Sequence, residues 1–438
     1  MFLYHLRLAR LSLLKQPFLT SLMVLAIGVG VGACMTVLTF IYSMSSDPIP
    51  EKSDQLYAVR LDSWDPAEAY SDEQPEEAPW QLTHKDAMAL LESPVPVRHV
   101  AMRKAGFTVV PESKDIAPFL TLTRMTSRDF FAMFNVPFLY GGTWPEEADE
   151  VATNVVVLSK ETNDRVFGGE DSVGRQIQLE ELSYTVAGVI DEWQPTILFY
   201  DVNNGPINDV ADVFLPYKIS DAREINGAGN TNCWKDETID TYFDMQQSEC
   251  IFVQFWAELD SPKMRDEYQS WLDAYTTEQK ALGRFERPTN NRLSTVTEWL
   301  KIQKVVSEGE WAIMSIAVLF LAACLFNTIG LILARFVAKS PVIGLRRALG
   351  ASKLDIFRQH LVEVGLVGFA GGVLGLLLAL LGLTGIRGLL PESEAIAQLK
   401  PELVLVTLAI AIGSAIIAGL YPTWRVCQLS PSNYLKTQ

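Results

Sequence analysis

FLTSLMVLAIGVGVGACMTVLTFIY (18–42) and WAIMSIAVLFLAACLFNTIGLILA (311–334) are charge-free apolar runs separated by about 270 residues of ordinary polar and apolar mixture. Two further runs follow, Val364–Ile386 and Leu403–Trp424. At 22–25 residues each, all four are long enough for a helix to cross a hydrocarbon layer about 30 Å thick. With no water there to satisfy peptide groups, a helix closes its own backbone hydrogen bonds. The expected fold is therefore membrane α-helical, with four transmembrane helices and a large α+β extracytoplasmic domain between the first and second. Between Lys15 and Asp47 lie 31 residues without a charged side chain, too long for a signal-peptide core, so the first run reads as a retained anchor.

Short basic loops stay in the cytoplasm, whereas long domains translocate largely regardless of charge. The N-terminal stretch carries Arg7, Arg10 and Lys15 and no acid. Loop 335–363 carries Arg335, Lys339, Arg346, Arg347, Lys353 and Arg358 against Asp355 and Glu363, and the tail adds Arg425 and Lys436. Both termini are thus expected inside. Residues 43–310 and the short loop 387–402 are expected outside. Segment 43–310 holds 23 Lys and Arg against 47 Asp and Glu, so the acidity of a chain with net charge −16 resides there. Such a field repels nucleic acid and anionic headgroups and concentrates cations or basic peptides; solubility, or life in salty water, is the favoured account of it.

Cys34 and Cys324 fall in apolar runs and Cys427 in the tail, leaving Cys233 and Cys250 together on the oxidising side. They are the candidate disulfide, and pairing depends on a Cα separation that sequence does not supply. No histidine or CxxC spacing accompanies them, so no metal site is expected.

In the external segment, Leu56–Leu61, Phe107–Val110, Phe119–Met125, Asn154–Leu158, Tyr184–Ile190 and Ile251–Ala257 read as strands. Thr83 is placed to cap a helix over Asp86–Leu91, and Ser127 one over Arg128–Phe134. A longer helix covers Pro262–Leu282, its Met264, Tyr268, Trp271, Leu272 and Tyr275 at core spacing. Pro195–Tyr242 reads as long excursions, and the acidic run Asp62–Glu77 as solvated. From Ser294 the chain turns helical, giving a stalk at about 294–310 before the second span.

No GxxxxGK[ST], HExxH or GxSxG occurs, and the four histidines are scattered, so the chain reads as non-catalytic. None of the four runs contains an Asp, Glu, Lys, Arg or His, which leaves no visible ion pathway. The inner loop is more informative. In 340–359, SPVIGLRRALGASKLDIFRQ, Pro341 opens a helix, Gly350 breaks it, and Ser352 caps the restart. A face mixing Leu345, Leu349, Ile356 and Phe357 with Arg346, Arg347 and Arg358 suits a groove on a partner protein or, equally, a lipid surface. The glycines over 365–375 suit close packing, between two copies or within one chain.

The run Val342–Gln359 resembles the EIGIRRALGAS-x-x-DI-x-RQ loop of the MacB/FtsX-like permeases, the membrane subunits of type VII ABC transporters. Residues 6–17 resemble the family's amphipathic leading helix, and 421–431, YPTWRVCQLSP, its YP-x-x-R-A-x-x-x-x-P closure. Val155–Ser159, Phe167-Gly168-Gly169, Val173-Gly174-Arg175 and Tyr184–Ile190 resemble its periplasmic core. Two departures stand out: Val342 replaces the usual acid before Ile343-Gly344, and Ser430 replaces a common Asp.

The resemblance implies a multi-pass protein of the bacterial inner membrane. It divides the chain into a cytoplasmic amphipathic helix (1–17), spans at 18–42, 311–334, 364–386 and 403–424, a cytoplasmic coupling loop (335–363), and a tail (425–438). The periplasmic domain (43–310) would have two lobes, one inserted at about 140–217. The implied partners are a cytoplasmic ABC ATPase dimer, a second permease, like or unlike, and an adaptor and outer-membrane channel, all amid membrane lipids. This chain would bind no cofactor, ATP and Mg belonging to the partner ATPase. Fused-ATPase members exist, and this chain is expected to lack that part. The implied coupling residues are Ile343, Gly344, Leu345, Arg346, Arg347, Ala348, Leu349, Gly350, Ala351, Asp355, Ile356, Phe357 and Arg358. The expected function is mechanotransmission: the partner's ATP hydrolysis moves the periplasmic domain and expels a periplasmic or outer-leaflet peptide, drug or lipoprotein. The alternative is a lever regulating a periplasmic enzyme such as a cell-wall hydrolase.

Overall fold

The structure, a computed structural model, describes residues 2–389 and 396–428. Part of the loop 387–402, most of the tail, and the Leu429-Ser430-Pro431 end of the closure motif lie outside the described residues. The chain divides into a helical unit, 1–46 with 306–438, and a second unit, Asp47–Val305.

The helical unit begins with α1 (Phe2–Leu14) and α2 (Pro17–Ser45). Pro17 stands at the start of α2, where a missing N–H costs nothing.

In the second unit the chain runs β1 (Leu56–Arg60), β2 (Leu82–Thr83), α3 (His84–Leu90), β3 (Arg98–Val110), β4 (Phe119–Thr126), α4 (Asp129–Met133), β5 (Phe138–Gly141) and α5 (Glu147–Glu150). It continues through β6 (Val155–Leu158), α6 (Lys160–Phe167), β7 (Gln176–Leu179), β8 (Leu182–Ile190), a 3-10 turn (Phe199–Asn204), β9 (Val213–Pro216), α7 (Tyr217–Ala222) and α8 (Tyr242–Gln247). It ends with β10 (Ile251–Glu258), α9 (Pro262–Ala281), β11 (Arg292–Thr295) and α10 (Val296–Ile302). The strands join in one sheet, ordered β11-β1-β10-β3-β4-β9-β6-β8-β5, with β2 against β10 and β7 against both β3 and β8. Pairings are antiparallel except β4 with β9 and β6 with β8.

Strand β10 is buried along its whole length, so its polar residues need partners. Glu258 finds them in Lys52 at 3.0 Å and Arg98 at 2.9 Å. One apolar core gathers Tyr57, Val253, Phe255, Tyr268 and Leu272 around β1, β10 and α9; another gathers Phe107, Val156, Leu158, Val186 and Leu215 around β6, β8 and β9. Cys233 and Cys250 are joined as a disulfide, with Cα atoms 4.2 Å apart.

All six expected strands are present. Thr83 caps α3 by accepting from the Asp86 N–H, and Ser261 caps α9. Four expectations need correction. Ser127 does not cap α4; its hydroxyl donates to the His99 carbonyl at 3.4 Å. Pro195–Tyr242 is not all excursion, since β9 and α7 lie within it; four residues, VFLP, are too few to show a period. The acidic run 62–77 is not wholly solvated, because Asp62 is buried against Arg287 at 3.2 Å and Glu77 pairs with buried Arg60 at 2.7 Å. The helical stretch from Ser294 is also divided: α10 ends at Ile302 and Lys304 adopts φ 47° before the next helix opens at Ser307.

That next helix is α11 (Glu308–Ala338), followed by α12 (Ser340–Ala348), α13 (Lys353–Leu389) and α14 (Pro401–Cys427). Ser307 and Glu310 form a reciprocal capping box for α11. Helices α2, α11, α13 and α14 are long and apolar enough to cross a membrane. Small residues bring them together. A Cβ on Gly371 would stand 2.7 Å from Ile27, one on Gly368 2.6 Å from the Ala415 Cβ, and one on Gly28 2.8 Å from Leu374. Gly368, Gly371, Gly372 and Gly375 are thus occupied in packing α13 against α2 and α14 of the same chain.

Candidate functional site

Between α11 and α13 the chain makes a short helix with a strongly two-sided character. Pro341 sits in the first turn of α12, and Gly350, at φ 102°, takes the left-handed conformation that ends it. The last carbonyls are closed by the Gly350 N–H on Arg347 and the Ala351 N–H on Arg346, at 3.1 and 3.0 Å. Ser352 then starts α13, its hydroxyl accepting from the Asp355 N–H at 3.1 Å. The helix, its glycine stop and the serine cap are where the sequence places them.

The two sides differ from expectation. Ile343 and Ile356 are buried in the helical unit's core, Gly344 is buried, and Ala351 and Phe357 pack against that core. These residues hold the loop in place, Ala351 and Phe357 remaining partly exposed. Val342, Leu345 and Leu349, spaced to share one face of α12, are 58%, 53% and 80% exposed, and Leu354 beyond Gly350 is exposed too. Arg346 is half-buried and donates to Gln359 Oε1 at 2.7 Å; Arg347 is half-buried; Asp355 and Arg358 are exposed. Ala348 lies on the helix, its side chain outside the described set. The outward surface is an apolar stripe beside basic residues, which suits a protein groove rather than water.

What fixes this loop was not legible in the sequence. Helix α11 runs past its charge-free stretch to include Arg335, and α13 begins eleven residues before its own, so Glu363 lies within it. Arg335 Nη2 meets Glu363 Oε1 at 2.6 Å, both side chains 2% exposed. The same oxygen accepts from Lys339 Nζ at 2.8 Å and from the Ser12 hydroxyl at 3.0 Å. Arg335 also donates to Thr20 Oγ1 at 3.1 Å and to the Ser12 carbonyl at 3.0 Å, while Phe336 packs on the His360 ring with centroids 4.3 Å apart. Three of the charges counted in the sequence as loop charges, Arg335, Lys339 and Glu363, form a knot across α1, α2, α11 and α13.

The second unit has a polar cavity of about 540 Å³ where β3 loses β10 as a neighbour. Arg103, Lys104, Asn230 and Tyr242 line it. Arg103 is caged by the rings of Tyr217, Tyr242 and Phe252 at 5.4–6.0 Å, and burial pushes the Tyr242 phenol up. Among the described residues no group of three His, Cys, Asp or Glu side chains is placed to hold a metal ion.

A helical unit that carries this loop together with a mixed sheet unit is the arrangement of one permease family, and the chain belongs to it: the MacB/FtsX-like permeases. The family model of the MacB-like periplasmic core domain matches residues 20–274, and that of the FtsX-like permease C-terminal region matches 314–431. Among curated relatives, the pyoverdine export ATP-binding/permease protein PvdT of Pseudomonas aeruginosa is 23% identical over 310 residues, covering 71% of this chain and 41% of that protein. The macrolide export ATP-binding/permease protein MacB of Rhodopirellula baltica is 22% identical over 448 residues, covering 98% of this chain and 61% of its own. The chain thus spans about two fifths of the length of the PvdT relative. The periplasmic region of MacB from Actinobacillus actinomycetemcomitans aligns with a TM-score of 0.37 at 13% identity, covering 59% of this chain and 98% of that one.

Proposed function

We propose that this chain is the permease subunit of an ABC exporter of the bacterial inner membrane, driven from the cytoplasm by a separate ATPase dimer that docks on α12. The observation that carries this reading is the exposed stripe Val342, Leu345 and Leu349 on a helix whose other face is anchored in the helical unit's core. A push on that stripe is delivered to the long helices rather than absorbed by a floppy loop. Arg346, Arg347 and Arg358 flank the stripe, and Val342, where relatives of this loop carry an acid, makes the contact more apolar.

In this reading both termini are cytoplasmic and Asp47–Val305 is periplasmic. The two apolar cores of that unit support a division into two lobes, with the inserted one at about 140–217. A second permease, like or unlike, completes the pair, and an adaptor and outer-membrane channel extend it. ATP and Mg reside in the partner. Cargo is a periplasmic or outer-leaflet compound, expelled by movement of the lobes without crossing the bilayer interior. The export named for the PvdT and MacB relatives favours this over control of a periplasmic enzyme.

Co-purification from the native membrane tests the docking step. The wild-type chain is expected to retain an ABC ATPase; Leu345→Asp with Leu349→Asp should lower its recovery at least about tenfold, since burying two unpaired carboxylates costs several kcal/mol. Equal recovery of the ATPase by both would refute docking on α12.

A further inference from the structure

The external unit is joined to the helical one by two chain connections, after α2 and before α11. Helix α12 is continuous in sequence with α11 and α13, so displacement of α12 reaches those two directly. It has no such continuity with α2. The buried knot is what bridges that gap. Glu363 Oε1, on α13, accepts from Arg335 and Lys339 at the end of α11 and from Ser12 near the end of α1. Arg335 then donates across to Thr20 in the first turn of α2. One carboxylate oxygen on α13 therefore gathers three groups from two other elements, and a buried guanidinium carries the connection on to α2.

We propose that Glu363 is a positioning residue for force transfer: through Arg335 it locks the cytoplasmic ends of α2, α11 and α13 into one rigid joint, so that displacement of α12 moves both helices that lead to the external unit. The direction of force rests on the reading of α12 as the docking site, but the joint is testable without any motor. Apolar packing also links α2 to α13, through Ile27 against Gly371 and Val31 against Gly375. Packing of that kind lets helices slide or rotate by small steps. A buried, multiply bonded ion cluster does not, because its geometry is fixed by direction as well as distance and an unpaired charge there has no solvent.

Hydrogen exchange on the full chain in lipid nanodiscs tests the joint. Glu363→Gln, which keeps size and an acceptor but removes the charge, is expected to speed exchange about tenfold in residues 11–20 and 336–347 together. Thr20→Val, of the same shape and without the acceptor, should do so in 11–20 while 336–347 keep the wild-type rate. Glu363→Asp, which keeps the charge on a shorter arm, should fall between wild type and Gln. Loosening of 336–347 by Glu363→Gln with 11–20 unchanged, or no change in either, overturns the proposal. In the complex with its ATPase, Thr20→Val should keep ATP hydrolysis while export falls about tenfold, and undiminished export overturns the force path. If no ATPase binds this chain, the docking reading fails while the exchange result still decides the joint.

Discussion

Asp201→Ala should destabilise the unit Asp47–Val305 by about 3–5 kcal/mol, enough to unfold much of it at growth temperature, because it strands a buried cation. The Asp201 side chain is fully buried and pairs with Arg124, itself 3% exposed, with Lys104 Nζ at 3.8 Å. Gln254 and Asn204 donate to its other oxygen at 2.9 and 2.6 Å. Arg124 Nε and Nη1 have no hydrogen-bond partner among the described residues, so this arginine depends on Asp201 and on the Tyr200 ring 5.4 Å away. Asp201→Asn should cost less, since it keeps acceptors while losing charge. The double variant Asp201→Ala with Arg124→Met should be more stable than Asp201→Ala alone, because it removes the fully buried guanidinium that Asp201→Ala strands. Thermal unfolding of the full chain followed by tryptophan fluorescence reads all three, and a double variant less stable than the single one would contradict this reading.

The second large effect is expected in the helical unit. A Cβ on Gly368 would meet Ala415 Cβ at 2.6 Å, the Ala411 carbonyl at 2.9 Å and Ile412 Cα at 3.1 Å. Two of those three are backbone atoms of α14 and cannot swing aside. Gly368→Leu should push α14 off α13 and cost about 1–3 kcal/mol or more through overpacking. Gly365, one turn earlier, has nothing within 4 Å of its would-be Cβ, so Gly365→Leu should leave stability of the isolated chain within about 0.5 kcal/mol of wild type. Unfolding of the single chain in detergent distinguishes them. Equal tolerance of both would mean that the glycine-rich seam does not hold this chain together.

The spans were legible because lipid imposes one requirement, an unbroken apolar helix, that composition displays directly. Their ends were not. Arg335 and Glu363 read as loop charges because sequence shows each charge singly, whereas the helices continue through them only because the two meet in space. The same limit hid Asp201: it lies in a stretch without periodicity, and its partners Lys104, Arg124 and Gln254 are 50–100 residues away. Local chemistry was more readable. Pro341, Gly350 and Ser352 bound α12 and open α13 as their backbone preferences dictate, and Thr83 caps α3 as expected. Which side of α12 faces outward was not readable, since Ile343 and Leu345 are equally apolar and only packing buries the first. The glycines over 365–375 announced close approach without naming the neighbour, which proved to be α2 and α14 of the same chain.

The most direct test of the account places a photo-cross-linking residue at Leu345 in cells and, for comparison, at buried Ile343. The account predicts that Leu345 forms an adduct with an ABC ATPase chain, changing in yield when ATP hydrolysis is blocked, and that Ile343 forms none. An adduct from Leu345 to lipid alone, or labelling of that position by a membrane-impermeant reagent applied from outside, would contradict it.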